Sequence, residues 1–266
     1  MTLTPWALVE PANVLEVDEG VRQELFGEAK LGLLYSGNLG RAHVYRPFVE
    51  LARRVSGDSI AFCYAGRGPR MDSLRRELGK RTEPIPRARG IETTELSPSP
   101  PTPLPGVPGR GEPGAQGATE GQEAGSKREK LGSQEEDLMI RFAGFASEEE
   151  LGKRLGAVDV HMVSLAPNWT GAVVPSKFFG ALAVGRPVLF AGSRKSAIAQ
   201  WIEQFNVGWV LDDDASVERV AAELRMFADD PSRVNAMREH CFQVYQREFS
   251  KAVQMEKWKK KLEVRS

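Results

Sequence analysis

Short apolar runs alternate along this chain with stretches in which apolar positions recur at helical spacing. Leu31 to Ser36 is an apolar run of strand length that stops at Gly37-Asn38-Leu39-Gly40, and Tyr45 to Val55 then follows a helical period. The unit repeats: Ile60 to Ala65 is strand-like, Gly66-Arg67-Gly68-Pro69 turns, and Met71 to Leu78 is a charged helical stretch. Further on, Met139 to Ala143 and Val158 to Ser164 read as strands around a helix that reaches about Leu155. Ser147 lies three residues before Glu150 and predicts a capping box at that helix start. A loop from Leu165 to Val174 leads to Pro175-Ser176-Lys177 and a helix to Ala183, which Gly185 ends. Pro187 to Ala191 and Gly208 to Leu211 read as strands on either side of a helix from Ser196 to Gln204. The remainder is helical, from Ser216 to Ala228 and from Pro231 to about Leu262, and the chain before Leu31 reads as irregular. Strand and helix in strict alternation predict an α/β fold, a doubly wound parallel sheet with right-handed crossovers. Ligands of such sheets bind beyond the carboxyl ends of the strands. That directs attention to the loops after Tyr35, Ala65, Ala143, Ser164 and Phe190.

One segment breaks the alternation. From Arg81 to Asp137 the composition turns to Pro, Gly, Ser, Thr, Glu and Gln, with too little apolar surface to offset the entropy of ordering. It reads as a long disordered insertion in a surface loop. Charge adds a constraint on partners. Lys plus Arg and Asp plus Glu each number 36, so the net charge is zero and the electrostatic case for a nucleic-acid binder falls away. Cys63 and Cys241 are too few for a disulfide framework or a cysteine metal site, and a reducing, cytoplasmic setting is the simplest reading. No stretch has the length of a membrane-spanning helix. Lys257, Trp258, Lys259, Lys260 and Lys261 admit two readings, a solvated helix end or a peripheral contact with anionic lipid at the inner face of a membrane.

The turns carry the candidate chemistry. A glycine turn before a helix lets backbone N–H groups approach an anion, and the helix dipole adds favourable potential there. Ser36 to Arg41 supplies such a turn together with Arg41, whose guanidinium can hold phosphate oxygens in pairs; the same glycines also serve a plain tight turn. Ser176 is placed to cap the helix after Pro175, and Lys177 sets a positive charge where it opposes its own helix dipole, which an anionic ligand would offset. Gly66 to Pro69 is a weaker signal of the same kind. Asp212-Asp213-Asp214 has the donors of a Mg²⁺ or Mn²⁺ site but reads better as the acidic start of the helix at Ser216, so no metal site is expected. His161 reads as structural, whereas His43, beside the first glycine turn, can reach a ligand. A complete dinucleotide fingerprint and a Walker sequence are both missing.

Taken in order, Leu34 to His43, Tyr64 to Pro69, Ile140 to Phe145, Val174 to Lys177 and Ala183 to Val188 resemble the successive blocks of the C-terminal donor domain of retaining GT-B glycosyltransferases, in the group that builds surface polysaccharides. The resemblance implies a Rossmann-like domain over 31–262, preceded by an interdomain-type connection over 1–30 and interrupted by the insertion at 81–137. It implies a nucleoside diphosphate sugar as donor substrate, with no obligatory cofactor. Gly37, Asn38, Gly40 and Arg41 would face the diphosphate, Pro175, Ser176 and Lys177 would supply the second phosphate contact, and Gly66, Arg67, Gly68 and Phe145 would wall the base pocket. Arg41 and Lys177 would be the catalytic cations. Many relatives carry a ribose-binding glutamate where this chain has Gly180. The acceptor half of such an enzyme has no counterpart in this sequence, so the resemblance implies a separate acceptor-domain chain as partner. The alternative is a non-catalytic nucleotide-sugar-binding or regulatory module; a sugar-nucleotide epimerase is a third reading.

Overall fold

In the computed structural model, residues 5–79 and 138–263 are described, so the expected insertion at 81–137 lies outside the described residues. The strands are β1 (Leu31–Ser36), β2 (Ile60–Ala65), β3 (Ile140–Ala143), β4 (Val160–Ser164), β5 (Val188–Ala191) and β6 (Gly208–Leu211). They form one sheet in the order β3-β2-β1-β4-β5-β6, and every neighbouring pair is parallel, with Tyr35 opposite Tyr64 and Ser164 opposite Ala191. The doubly wound parallel sheet expected from the alternation is therefore the one observed. Its strand order reverses between β1 and β4, and the loops after these two strands meet there: the Ala166 N–H donates to the Ala42 carbonyl at 2.8 Å.

The helices are α1 (Glu19–Phe26), α2 (Arg46–Arg54), α3 (Pro69–Glu77), α4 (Glu148–Gly156), α5 (Lys177–Ala183), α6 (Ala197–Phe205), α7 (Asp214–Ala228), α8 (Pro231–Val244) and α9 (Lys251–Glu263). Strand periodicity sorts the core. Leu31, Leu33 and Tyr35 point into one cluster with Phe48 and Leu51 of α2, Leu74 of α3 and Val220 and Leu224 of α7. Their neighbour Leu34 faces the other side, with Phe26 of α1 and Ala61 and Cys63 of β2. A third cluster packs Phe178 and Phe179 of α5 and Ile198 and Ile202 of α6 against Phe190, Tyr245 and Phe249. Burying such a side chain contributes about 1.5–3 kcal/mol.

Several local expectations are corrected. The opening is not irregular throughout: Asp18 caps α1 by accepting the Val21 N–H at 3.1 Å, and Val21, Leu25 and Phe26 turn inward. The last helical stretch is broken. A π-helical turn at Tyr245–Phe249 follows α8, and Ser250, with ψ at 154°, interrupts the path before α9. Ser147 accepts the Glu150 N–H at 3.2 Å, one arm of the expected box. The cap of α7 is Asp213, which accepts the Ser216 N–H at 2.7 Å, so Ser216 sits inside the first turn and completes a capping box.

Two buried charges join the elements. Asp159, 3% exposed, accepts from Arg22 of α1, Arg238 of α8 and the Gly32 N–H at 2.6, 2.6 and 2.8 Å. Arg186, wholly buried, donates to the carbonyls of Val158, Val184, Gly185, Leu15 and Gly156. Orphaned carbonyls at a helix end and a strand start are what this side chain satisfies. Among the described residues no helix is long and apolar enough to cross a membrane.

Candidate functional site

Two glycine-bearing turns converge at the carboxyl ends of β1 and β2. Gly37, Gly66 and Gly68 have φ of 119°, 138° and 128°, in the region that side chains avoid. Space enforces the same choice. A Cβ on Gly66 would lie 2.2 Å from the Gly37 carbonyl oxygen, and one on Gly68 would lie 2.3 Å from Asn38 Oδ1. Backbone bonds lock the turns together: the Gly37 N–H donates to Ala65, the Leu39 N–H to Arg67 and the Arg70 N–H to Leu39, at 2.8, 2.9 and 3.1 Å. Nearby, the Arg67 guanidinium sits 5.3 Å from the Phe145 ring centroid, so two of the four residues expected for the base pocket share one exposed spot.

Lys177 reaches this cluster from α5. A Cβ on Gly37 would lie 2.8 Å from Lys177 Cε, and the Lys177 ammonium stands 5.6 Å from the Tyr35 ring centroid. The side chain is half-buried and makes no ion pair with a carboxylate of the described residues. Burial lowers the pKa of its amine. Ser176 behaves otherwise than expected. Its own torsions are already helical, φ −63° and ψ −21°, and its side chain makes no capping bond, because a cap needs an extended residue. The first N–H groups of α5 instead donate within the turn, Phe178 to Pro175 and Phe179 to Ser176. Gly180 faces open space, so a longer side chain would fit where this chain has none.

The structure thus brings together Gly37, Asn38, Gly40, Gly66, Arg67, Gly68, Phe145 and Lys177, with Pro175 and Ser176 leading into the last. Arg41 is exposed and touches none of them through any described bond.

A cleft of about 740 Å³ opens beside this cluster and contains none of those residues. His43, Arg46, Arg70 and Pro167 form one part of its wall, and Gly192 to Lys195 with Asp212 form another. His43 joins the two regions. Its ring lies 6.0 Å from Tyr35, on which Lys177 also rests, and its Nδ1 meets the Ser164 carbonyl at 2.7 Å. Burial, with a smaller contribution from Lys177, lowers the His43 pKa against the Ser164 bond that raises it. Since a carbonyl only accepts, Nδ1 carries the proton and Nε2 is left as an acceptor. Sequence reading found His43 but missed Arg46, Arg70 and Lys195. The signal was present at Arg46, which opposes the dipole of α2 from its first turn as Lys177 does on α5. Asp212 is held by Arg194 at 2.6 Å and Asp213 caps a helix, and among the described residues no cluster suits a metal ion.

Comparison with solved structures follows this geometry. The C-terminal domain of the glycosyl transferase group 1 family protein LpcC from Francisella tularensis matches 90% of this chain and 97% of its own, at 15% identity and a TM-score of 0.53. The pneumococcal O-GlcNAc transferase GtfA, solved with UDP and GlcNAc, matches at 13% identity and a TM-score of 0.54, over 96% of this chain and 38% of GtfA. Anabaena Alr3699/HepE, solved with UDP, matches at 10% identity and a TM-score of 0.57, over 94% of this chain and 54% of HepE. This chain therefore spans well under two thirds of the length of GtfA or HepE. No protein-family model and no curated protein sequence matches it. At these identities the likeness is one of fold: the chain has the Rossmann-like architecture of the C-terminal half of a GT-B glycosyltransferase.

Proposed function

We propose that this chain is the donor-binding half of a glycosyltransferase and takes a nucleoside diphosphate sugar, with transfer to a saccharide acceptor in polysaccharide or glycoconjugate synthesis. The observation that carries the reading is Lys177, a half-buried ammonium with no described carboxylate partner, laid against the Gly37 turn at the carboxyl end of β1. Holding an unpaired cation out of water is costly, and a phosphate returns that cost through a charge-assisted hydrogen bond. In this reading the glycine turns bring backbone close to the diphosphate, Arg67 and Phe145 flank the base, and Arg41 closes over the phosphates from its exposed position. Arg41 and Lys177 then meet the charge that develops on the leaving diphosphate, which is electrostatic stabilisation by side chains. The open space at Gly180 leaves the ribose end without a carboxylate contact. In this reading an acceptor half completes the enzyme; one structural neighbour was solved as a GtfA/B complex.

Calorimetric titration with UDP tests the reading, because neighbours of this fold were solved with that nucleotide. Replacing Arg41 and Lys177 together by alanine is expected to weaken binding by roughly 100-fold, about 3 kcal/mol for two charge-assisted bonds, with the melting temperature unchanged. Equal affinity in parent and variant would sink the assignment.

A further inference from the structure

The amphipathic pattern of α9 is inverted. Toward the body of the protein it turns Gln254, which is buried and donates to the Glu248 carbonyl at 2.7 Å, and Lys257, which donates to the same carbonyl at 3.0 Å. Outward it presents Met255, Trp258 and Leu262, which are 39%, 39% and 67% exposed. Spacings of three and four residues put these three on one stripe. A surface helix of a globular protein does the opposite and lays its apolar stripe on the core. The segment before α1 extends the stripe. The Trp6 ring meets that of Trp258 edge-on at 6.5 Å, and Leu8 is 96% exposed. Between them Ala7 is buried, and its N–H donates to the Tyr245 hydroxyl at 3.0 Å, so an anchored backbone holds Leu8 outward. Lysine borders this surface. The Lys251 ammonium stands 5.9 Å from the Trp6 ring centroid, and Lys259 and Lys260, both exposed, follow Trp258. Glu256 engages Lys259 at 3.1 Å, but α9 carries five lysines against two glutamates, a net charge of +3 in a chain whose total is zero.

We propose that α9 and the segment before α1 form a docking surface for an anionic membrane, with Trp6, Leu8, Met255, Trp258 and Leu262 entering the interface and Lys251, Lys259 and Lys260 on the lipid phosphates. Of the two sequence readings of this helix end, a solvated one would have turned Trp258 inward. Tryptophan settles at the level of lipid headgroups, and each lysine near an anionic surface adds attraction. Other occupants fit less well. Lysine is depleted at contacts between proteins, and a second copy would bring two like-charged helices together. With 13 residues, α9 lies along such a surface and does not cross it. None of these residues lines the 740 Å³ cleft, and the proposal does not rest on the donor reading.

Co-sedimentation of the full chain with vesicles tests this, with phosphatidylcholine alone as the neutral probe and an equal mixture with phosphatidylglycerol as the anionic one. Binding to the anionic vesicles is expected to be at least about tenfold tighter than to the neutral ones, and to weaken as salt screens the lysines. The variant Met255→Ser/Trp258→Ser is expected to lose at least about tenfold in affinity for anionic vesicles, and Lys259→Gln/Lys260→Gln about tenfold. All four side chains are exposed, so unchanged melting temperatures are expected as a check on folding. Leu8→Ser, at a position almost wholly in solvent, gives a second apolar test with an expected loss of at least about threefold. No binding to anionic vesicles would overturn the proposal and leave the face to a protein partner. So would apolar variants that bind as tightly as the parent, since the contact would then be one of charge alone. Self-association of the parent that Met255→Ser/Trp258→Ser abolishes, without vesicle binding, would give the face to a second copy.

Discussion

His161 sits on the central strand β4, buried, with Nε2 at 3.0 Å from the Leu155 carbonyl. Burial above all, and the charge of Arg186, push its pKa down to about 4 against the raising effect of the Leu155 bond. The fold therefore holds the neutral ring while the unfolded chain takes up a proton near its ordinary value of 6.5. Stability from this residue is complete above that pH and is lost as the pH falls toward the folded value, to the extent of about 3 kcal/mol. Urea unfolding at pH 7 and pH 4.5 should show most of this loss, and His161→Gln, which keeps a donor for Leu155, should flatten it; an equally steep fall in the variant would refute the assignment. At this scale sequence was a partial guide. Lys177 and Arg46 announce themselves by sitting against a helix dipole, and the positive-φ glycines by type, because both signals are local. Arg186 gave no such signal. Its five carbonyl partners come from three separate stretches, and only the folded chain assembles them.

At the scale of elements, the alternation of apolar runs placed all six strands and their parallel direction, since five of them are buried along nearly their whole length and only β3 carries an exposed position, Arg141. The misses fall at ends. α1 is short, begins with Glu19 and Gly20, and owes its place to Arg22 gripping Asp159, a partner 137 residues away. The Ser250 break escaped notice because nothing in Tyr245 to Lys251 is a strong helix breaker; tertiary bonds make it. Glu10 is central to those. Its carboxylate accepts from the Tyr245 hydroxyl and from the Lys251 N–H, the latter at 2.8 Å, and so fastens the N-terminal segment across the junction of the π turn and α9. Glu10→Ala is expected to lower stability by roughly 1–3 kcal/mol and to speed amide exchange in α9. Exchange measured by mass spectrometry should change there and leave β1 and β4 protected; uniform change along the chain would show that Glu10 does not act locally.

For the whole molecule, two nearby regions of different character lie at one end of one sheet. The glycine turns give close backbone approach with one half-buried cation, and the cleft gives volume with several exposed ones. Position at the reversal of strand order makes that end the natural place for both. The rigid side is the glycine cluster, whose turns leave no room even for a methyl group at Gly66. One consequence is chemical reactivity. An amine that burial disposes toward its neutral form is a better nucleophile at mildly alkaline pH than its exposure alone would indicate. Brief treatment with an acylating reagent at pH 8 is therefore expected to modify Lys177 out of proportion to its accessibility beside the solvated Lys259 and Lys260, as peptide mass mapping would show, and UDP should protect it. Labelling that simply followed exposure would refute this. Confirmed, the lowered basicity of one lysine becomes a handle by which a reporter group can be attached at the floor of the glycine turns.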